Sequence, residues 1–303
     1  MTARRLQNTV LVLSLLHTAV AFLGAQAQPG PGAAQPGEAV SVESNVQYGA
    51  PQGQKLFLDV YRPGGQSARA RPAVVLIHGG GWTSLDKSTM RTMGDFLARR
   101  GFVAFSVDYR LFEGAESQWP AQLDDVQRSI RWVRANASKY GVDPDHVGAF
   151  GHSAGAQLAA LLGMEDTRDN ADPALAKYSS RVQAVVDVSG PANFTPNHDS
   201  DAEAFLTKLF GGDYSHRAEV WRGASPLLRV SKTSAPFLIL HGTHDQEVPI
   251  AQSQSLFEAL QRAGVPAKFV EVDDVHTFKT PEARRRLAFE TLEFFQHYLV
   301  ATP

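Results

Sequence analysis

Short apolar runs that alternate with amphipathic stretches constrain this chain most. From residue 73 onward, residues 73–78 (AVVLIH), 102–109 (FVAFSVDY), 147–150, 184–189, 237–241 and 268–272 have the length and apolar character of buried strands. Between them lie helical segments. Residues 123–140 set Leu123, Val126, Ile130, Val133 and Ala137 on one face, and residues 154–162, 252–263 and 281–299 are read as helices too. Another helix closes over residues 96–100, where Gly101 supplies a stop. Strands and helices in this order predict a mostly parallel central sheet with helices on both faces, an α/β fold. Ahead of it, residues 40–48 and 55–61 alternate apolar and polar side chains and predict an antiparallel hairpin at a sheet edge. Residues 191–235 break the alternation and are expected to form an insertion over the sheet, a candidate lid.

Composition removes several classes of function. Twenty-nine Lys and Arg stand against 31 Asp and Glu, so no basic surplus exists to hold a nucleic-acid backbone. Cysteine is absent, which excludes disulfides, a cysteine nucleophile and thiolate metal sites. No His and carboxylate group has metal-ligand spacing, and no cofactor is expected. At the N-terminus, Arg4 and Arg5 precede an apolar stretch at residues 10–23, and Ala25-Gln26-Ala27 then places small residues two apart. That pattern predicts a signal peptide over residues 1–27, cleaved after Ala27, and hence a secreted or periplasmic chain without a stable membrane anchor. The run is shorter than the roughly 18–20 residues a membrane span needs. Residues 28–38, rich in Pro, Gly and Ala, are expected to be a flexible tail, leaving residues 39–303 as the catalytic domain.

Two glycine-rich loops and a pair of late residues carry the chemistry. Gly151-His152-Ser153-Ala154-Gly155 follows one predicted strand and opens one predicted helix, which is the context a G-x-S-x-G nucleophile turn needs. The plainer alternative is a helix-capping serine. His78-Gly79-Gly80-Gly81-Trp82 follows the strand at residues 73–78, and its consecutive glycines expose backbone N–H groups of the kind that stabilise an oxyanion. A serine hydroxyl is a weak nucleophile that requires a base and an orienting acid. Among ten histidines, His276 follows a late strand, whereas His78 and His152 sit inside the glycine motifs, where ordering a loop is the simpler role. Asp245 follows the strand at residues 237–241. Asp273 and Asp274 compete for the acid role but lie too close to His276 in sequence, so Glu247 is the better rival. Trp82 and Phe278 are candidates for walling a substrate pocket, with Phe194, Phe205, Phe210 and Trp221 as a roof.

Taken together, residues 40–300 resemble the α/β-hydrolase superfamily of serine esterases. The His-Gly-Gly-Gly-Trp loop is similar to that of the hormone-sensitive-lipase-like esterases. Leu58-Asp59-Val60-Tyr61-Arg62-Pro63, Asp108-Tyr109-Arg110 and Trp119-Pro120-Ala121-Gln122-Leu123-Asp124-Asp125-Val126 are similar to the bifunctional feruloyl/acetyl esterases that act on plant cell-wall polysaccharides. The resemblance implies an α/β-hydrolase fold, with Ser153 as nucleophile, Asp245 as acid and His276 as base. It also implies that the backbone N–H groups of Gly80, Gly81 and Ala154 form the oxyanion hole. The expected activity is hydrolysis of a small-molecule or polysaccharide-linked ester. The rivals are an arylformamidase or peptidase on the same scaffold, or a binding protein that kept the fold without catalysis.

Overall fold

The computed structural model describes residues 39–300, apart from 66, 68, 196–199 and the side chains of 200 and 201. The expected signal peptide and tail, residues 1–38, lie outside the described residues. An eight-stranded sheet runs in the order β1-β2-β4-β3-β5-β6-β7-β8. Its strands are β1 (Ser41–Gly49), β2 (Leu56–Arg62), β3 (Arg71–Ile77), β4 (Val103–Val107), β5 (Val142–His152), β6 (Ala184–Val188), β7 (Phe237–Gly242) and β8 (Ala267–Val272). The β1–β2 and β2–β4 pairs are antiparallel, and every other neighbouring pair is parallel. The helices are α1 (Arg91–Ala98), α2 (Ala121–Ala135), α3 (Ala137–Tyr140), α4 (Ala154–Met164), α5 (Ser200–Leu209), α6 (Tyr214–Ala224), α7 (Ala251–Arg262) and α8 (Pro281–Leu299). This is an α/β-hydrolase fold.

Alternation along β3 explains the layering. Val74 and Leu76 join one apolar cluster with residues of α1 and α8, whereas Ala73, Val75 and Ile77 join the other with residues of α2, α4 and α7. Each fully buried Leu, Ile or Phe stabilises the fold by about 1.5–3 kcal/mol relative to an exposed one, so both faces need cover. The parallel registers align the carboxyl ends. Ile77 lies opposite Val107 and Gly151, and His152 lies opposite Val188. The loops after β3, β5, β7 and β8 therefore leave the same edge of the sheet, where α/β sheets of this kind bind ligands.

Two local expectations change. The helix expected over residues 123–140 starts earlier and divides at Asn136, whose side-chain amide donates to the Trp132 carbonyl at 2.9 Å. A short amide that bonds the carbonyl four residues back competes with helix continuation. The strand at residues 147–150 is the end of a longer one, because Val142 already pairs with Arg71. Within residues 191–235, Leu209, Phe210 and Trp221 are no more than 1% exposed and belong to the cluster that covers α2, α4 and α7. These three side chains anchor the described part of the insertion to the core.

Candidate active site

Ser153 sits between the end of β5 and the first residue of α4, with φ 55° and ψ −124°. A left-handed backbone at a non-glycine residue costs on the order of 1–3 kcal/mol, and it persists only where the surroundings enforce it. Here they do. The Ser153 N–H donates to the Val188 carbonyl at 2.8 Å. A Cβ on Gly151 would lie 2.1 Å from the Gly155 carbonyl oxygen, and one on Gly155 would lie 2.2 Å from that of Ile77. Gly155 is there because α4 lies too close to β3 for a side chain, and Gly151 because the end of β5 lies too close to the first turn of α4.

The glycine loop after β3 meets the serine directly, since a Cβ on Gly79 would lie 3.1 Å from the Cβ of Ser153. Gly80 and Gly81 have φ of 95° and 57°, which folds the loop back so that the Gly80 carbonyl accepts from the N–H groups of Thr83 and Ser84. That leaves the N–H groups of Gly80, Gly81 and Ala154 with no acceptor among the described residues. The Tyr109 hydroxyl donates to the carbonyls of His78 and Gly79 at 3.0 and 3.1 Å, and its ring stacks on His78 at 4.3 Å. These contacts fix the loop from below.

Asp245, on the loop after β7, has a fully buried side chain. Its Oδ2 accepts from His276 Nδ1 at 2.6 Å, and its Oδ1 accepts from the N–H groups of Glu247 and Val248 at 2.8 and 2.9 Å. Burial pushes the carboxyl up, but the amide of Val248, the imidazole of His276 and the amide of Glu247 together hold it below the usual carboxylate value. Glu247, the rival for the acid role, lies at the other edge of the ring, 3.7 Å from His276 Nε2. Asp274 accepts instead from Val275 and Thr280 and orders the turn around the histidine, while Asp273 pairs with His244 at the surface. His276 Nε2 is buried without a hydrogen-bond partner, so the Ser153 hydroxyl is not bonded to it in this structure. Such bonds are often open until substrate binds.

With the residues assembled, likeness to known proteins becomes informative. Residues 58–260 match the model of the BD-FAE family, about two thirds of the chain. The chain belongs to the BD-FAE family. Its His276 lies beyond the matched span. Esterase LipQ of Mycobacterium tuberculosis is 31% identical over 240 residues, covering 77% of this chain and 56% of that protein. The chain spans about half the length of the curated relatives it matches. A thermophilic esterase of the planctomycete Thermogutta terrifontis, solved with butyrate bound, superposes with a TM-score of 0.74 and 26% identity over 88% of this chain and 97% of that one. A truncated carbohydrate esterase from gut microbiota superposes with a TM-score of 0.71 and 28% identity, over 89% and 98% of the two chains. By family and fold, the chain is thus similar to esterases of the hormone-sensitive-lipase-like type among α/β-hydrolases.

The aromatics expected to wall a pocket divide, in this BD-FAE chain, between the two faces of the sheet. Trp82 packs with Phe194 and Phe205, at ring distances of 5.9 and 6.4 Å, and its indole N–H donates to Gln157 of α4. Phe210 and Trp221 lie deeper, packed edge to face with ring centres 5.0 Å apart. Phe278 does not share a wall with Trp82. It is 2% exposed in the cluster that covers α1 and α8, on the opposite face, so it presents no surface to a ligand there. The cause is the turn after His276, where Phe278 takes a φ of 49° and its N–H donates to the Val275 carbonyl.

Two histidines have roles that reasoning from motifs does not reach. His152 Nε2 donates to the backbone carbonyl of His276 at 3.0 Å, and the two rings lie 4.9 Å apart, so His152 orders His276 rather than its own loop. Burial holds its pKa below the ordinary histidine value. His241 Nε2 donates to the Val248 carbonyl at 2.9 Å and lies 3.1 Å from Asp245 Oδ2. The bare Nδ1 then accepts from Ser253 Oγ at 2.7 Å. Its place at the end of a strand, four residues before Asp245, is the one signal that marks His241 in the sequence. Among the described residues, no group of three His, Asp or Glu side chains could hold a metal ion.

Proposed function

We propose that this chain is a secreted serine carboxylesterase that hydrolyses short-chain acyl esters through an acyl-enzyme. The observation that carries the reading is the 2.6 Å pair of Asp245 and His276 at the strand edge where Ser153 is held in a strained turn. His276 Nε2 takes the Ser153 proton as Oγ attacks the ester carbonyl. Asp245 keeps the Nδ1–H tautomer and stabilises the imidazolium that forms. The N–H groups of Gly80, Gly81 and Ala154, which have no acceptor in the protein among the described residues, receive the oxyanion. One such donor is worth roughly 2.7–4 kcal/mol of transition-state stabilisation. His276 then protonates the leaving alcohol, and water repeats the sequence to free the acid.

The cluster of Trp82, Phe194 and Phe205 crowds the space beside the oxyanion loop and favours acetyl to butyryl groups. The butyrate-bound thermophilic esterase supports a small acyl group, and the carbohydrate esterase supports an ester carried on a carbohydrate. The described residues of the 191–235 insertion would roof the site, and the signal-like residues 1–27 support export with cleavage after Ala27. The test is kcat/KM over p-nitrophenyl esters of two to sixteen acyl carbons, beside acetyl-xylan and methyl ferulate. A maximum at two to four carbons is expected. A maximum at twelve or more refutes the short-chain reading, and faster turnover of the feruloyl ester moves the substrate to the aromatic class.

A further inference from the structure

Glu247 has the sequence position of a catalytic acid but not its geometry. Its Oε2 lies 3.7 Å from His276 Nε2, the nitrogen opposite the one that Asp245 holds. Its side chain is 69% exposed, whereas that of Asp245 is fully buried. No Lys or Arg pairs with it among the described residues. The other ionisable groups around the imidazole are accounted for. Asp245 is bound by His276 and two amides, His241 is closed by Val248 and Ser253, and His152 is spent on the His276 carbonyl. Glu247 therefore supplies an uncompensated negative charge on the edge of the ring through which protons pass.

Chemistry locates the substrate relative to that charge. On the esterase reading above, on which this inference rests, Nε2 must move its proton from Ser153 Oγ to the oxygen of the departing alcohol. The alcohol portion of the ester consequently lies against the Nε2 edge, while the acyl portion extends away from it. We propose that Glu247 is a specificity-determining residue that selects on the charge of the alcohol portion, disfavouring esters of anionic alcohols and favouring those of neutral or cationic ones. Like charges brought together across a site are penalised, and an exposed carboxylate acts through partly screened solvent, so discrimination of about tenfold at low salt is expected. It shrinks as the Debye length falls from about 30 Å at 0.01 M salt to about 10 Å at 0.1 M.

The test compares the acetyl esters of 4-hydroxybenzoate and 4-hydroxybenzamide, which match in size and differ in charge. Their intrinsic reactivities cancel when the ratio of kcat/KM, anionic over neutral, is compared between variants. Glu247→Gln should raise that ratio about five- to tenfold at low salt, and Glu247→Lys should raise it further. Added salt should raise the ratio in the wild type, leave it level in Glu247→Gln and lower it in Glu247→Lys. A ratio that stays within twofold across all three chains overturns the role of Glu247, even if every chain hydrolyses the neutral ester. A loss of rate shared equally by both esters marks a structural role and overturns it as well. If the folded wild type hydrolyses neither ester, nor any p-nitrophenyl ester, the esterase reading fails and the inference falls with it.

Discussion

Asp245 and His276, 31 residues apart in the chain, are joined by a 2.6 Å hydrogen bond that uses one carboxylate oxygen and leaves the other to two backbone amides. The carboxylate is thus immobilised before it meets the imidazole, and the ring is held with Nδ1 protonated and Nε2 free.

That division makes the acid sensitive to a change of one atom. Asp245→Asn should keep the fold, since an amide oxygen can still accept from Val248 and Glu247. Its NH2 group facing His276 would favour the wrong tautomer, and kcat should fall by about 10^4. Glu247→Gln should cost far less on a neutral ester. Steady-state kinetics on p-nitrophenyl acetate, with circular dichroism to verify folding, tests both. A dead Glu247→Gln beside an active Asp245→Asn would reverse the assignment.

Ser153→Ala should lower kcat by about 10^4 or more without unfolding the chain. An organophosphonate should add its mass to the peptide that contains Ser153 and to no other serine peptide. The measurement is peptide mass spectrometry of the inhibited protein, and label elsewhere with full activity in the variant would sink the nucleophile.

The elbow predicts a contrast between two glycines. Gly155→Ala puts a Cβ 2.2 Å from the backbone oxygen of Ile77, which cannot move without shifting β3, so it should destabilise by about 3 kcal/mol or prevent folding. Gly223, near the end of α6, has nothing within 4 Å of its added Cβ, and Gly223→Ala should stabilise by about 0.5–1 kcal/mol. Urea unfolding monitored by tryptophan fluorescence distinguishes them.

Asp187 on β6 gives the fold a dependence on pH. Complete burial pushes its carboxyl up to about 7, opposed only by the Gly190 N–H that it accepts at 2.9 Å. In the unfolded chain the proton leaves near pH 3.9. Between those values the folded state binds more proton, so stability falls as pH rises from about 4 through about 7, by roughly 3–4 kcal/mol. Asp187→Asn cannot ionise. Its melting temperature should therefore gain on the wild type steadily from pH 4 to pH 8, and parallel curves for the two chains would show that Asp187 is already ionised at pH 4.

Apolar periodicity and glycine placement alone were enough to order the strands and helices, to set Ser153, Asp245 and His276 after strand ends, and to mark the two glycine loops. These are local properties: apolar periodicity reports burial, and a glycine two residues either side of a serine reports close backbone approach. Helix α8 matched its expected span because its Pro281 start and apolar face are both local signals. Tertiary structure decided the rest. Asp245 and Glu247 are two residues apart on one loop and chemically alike, yet the turn that bonds Asp245 to two amides sends it beneath the ring and leaves Glu247 at the opposite edge. Trp82 and Phe278 both flank site residues, but a left-handed backbone at Phe278 carries its ring to the other face of the sheet. His152 acquires its partner only when the loop after β5 meets the loop after β8, 124 residues on. Spacing along a chain records which side chains can reach one edge of a sheet. Which atom of each faces which neighbour depends on contacts between residues far apart in sequence.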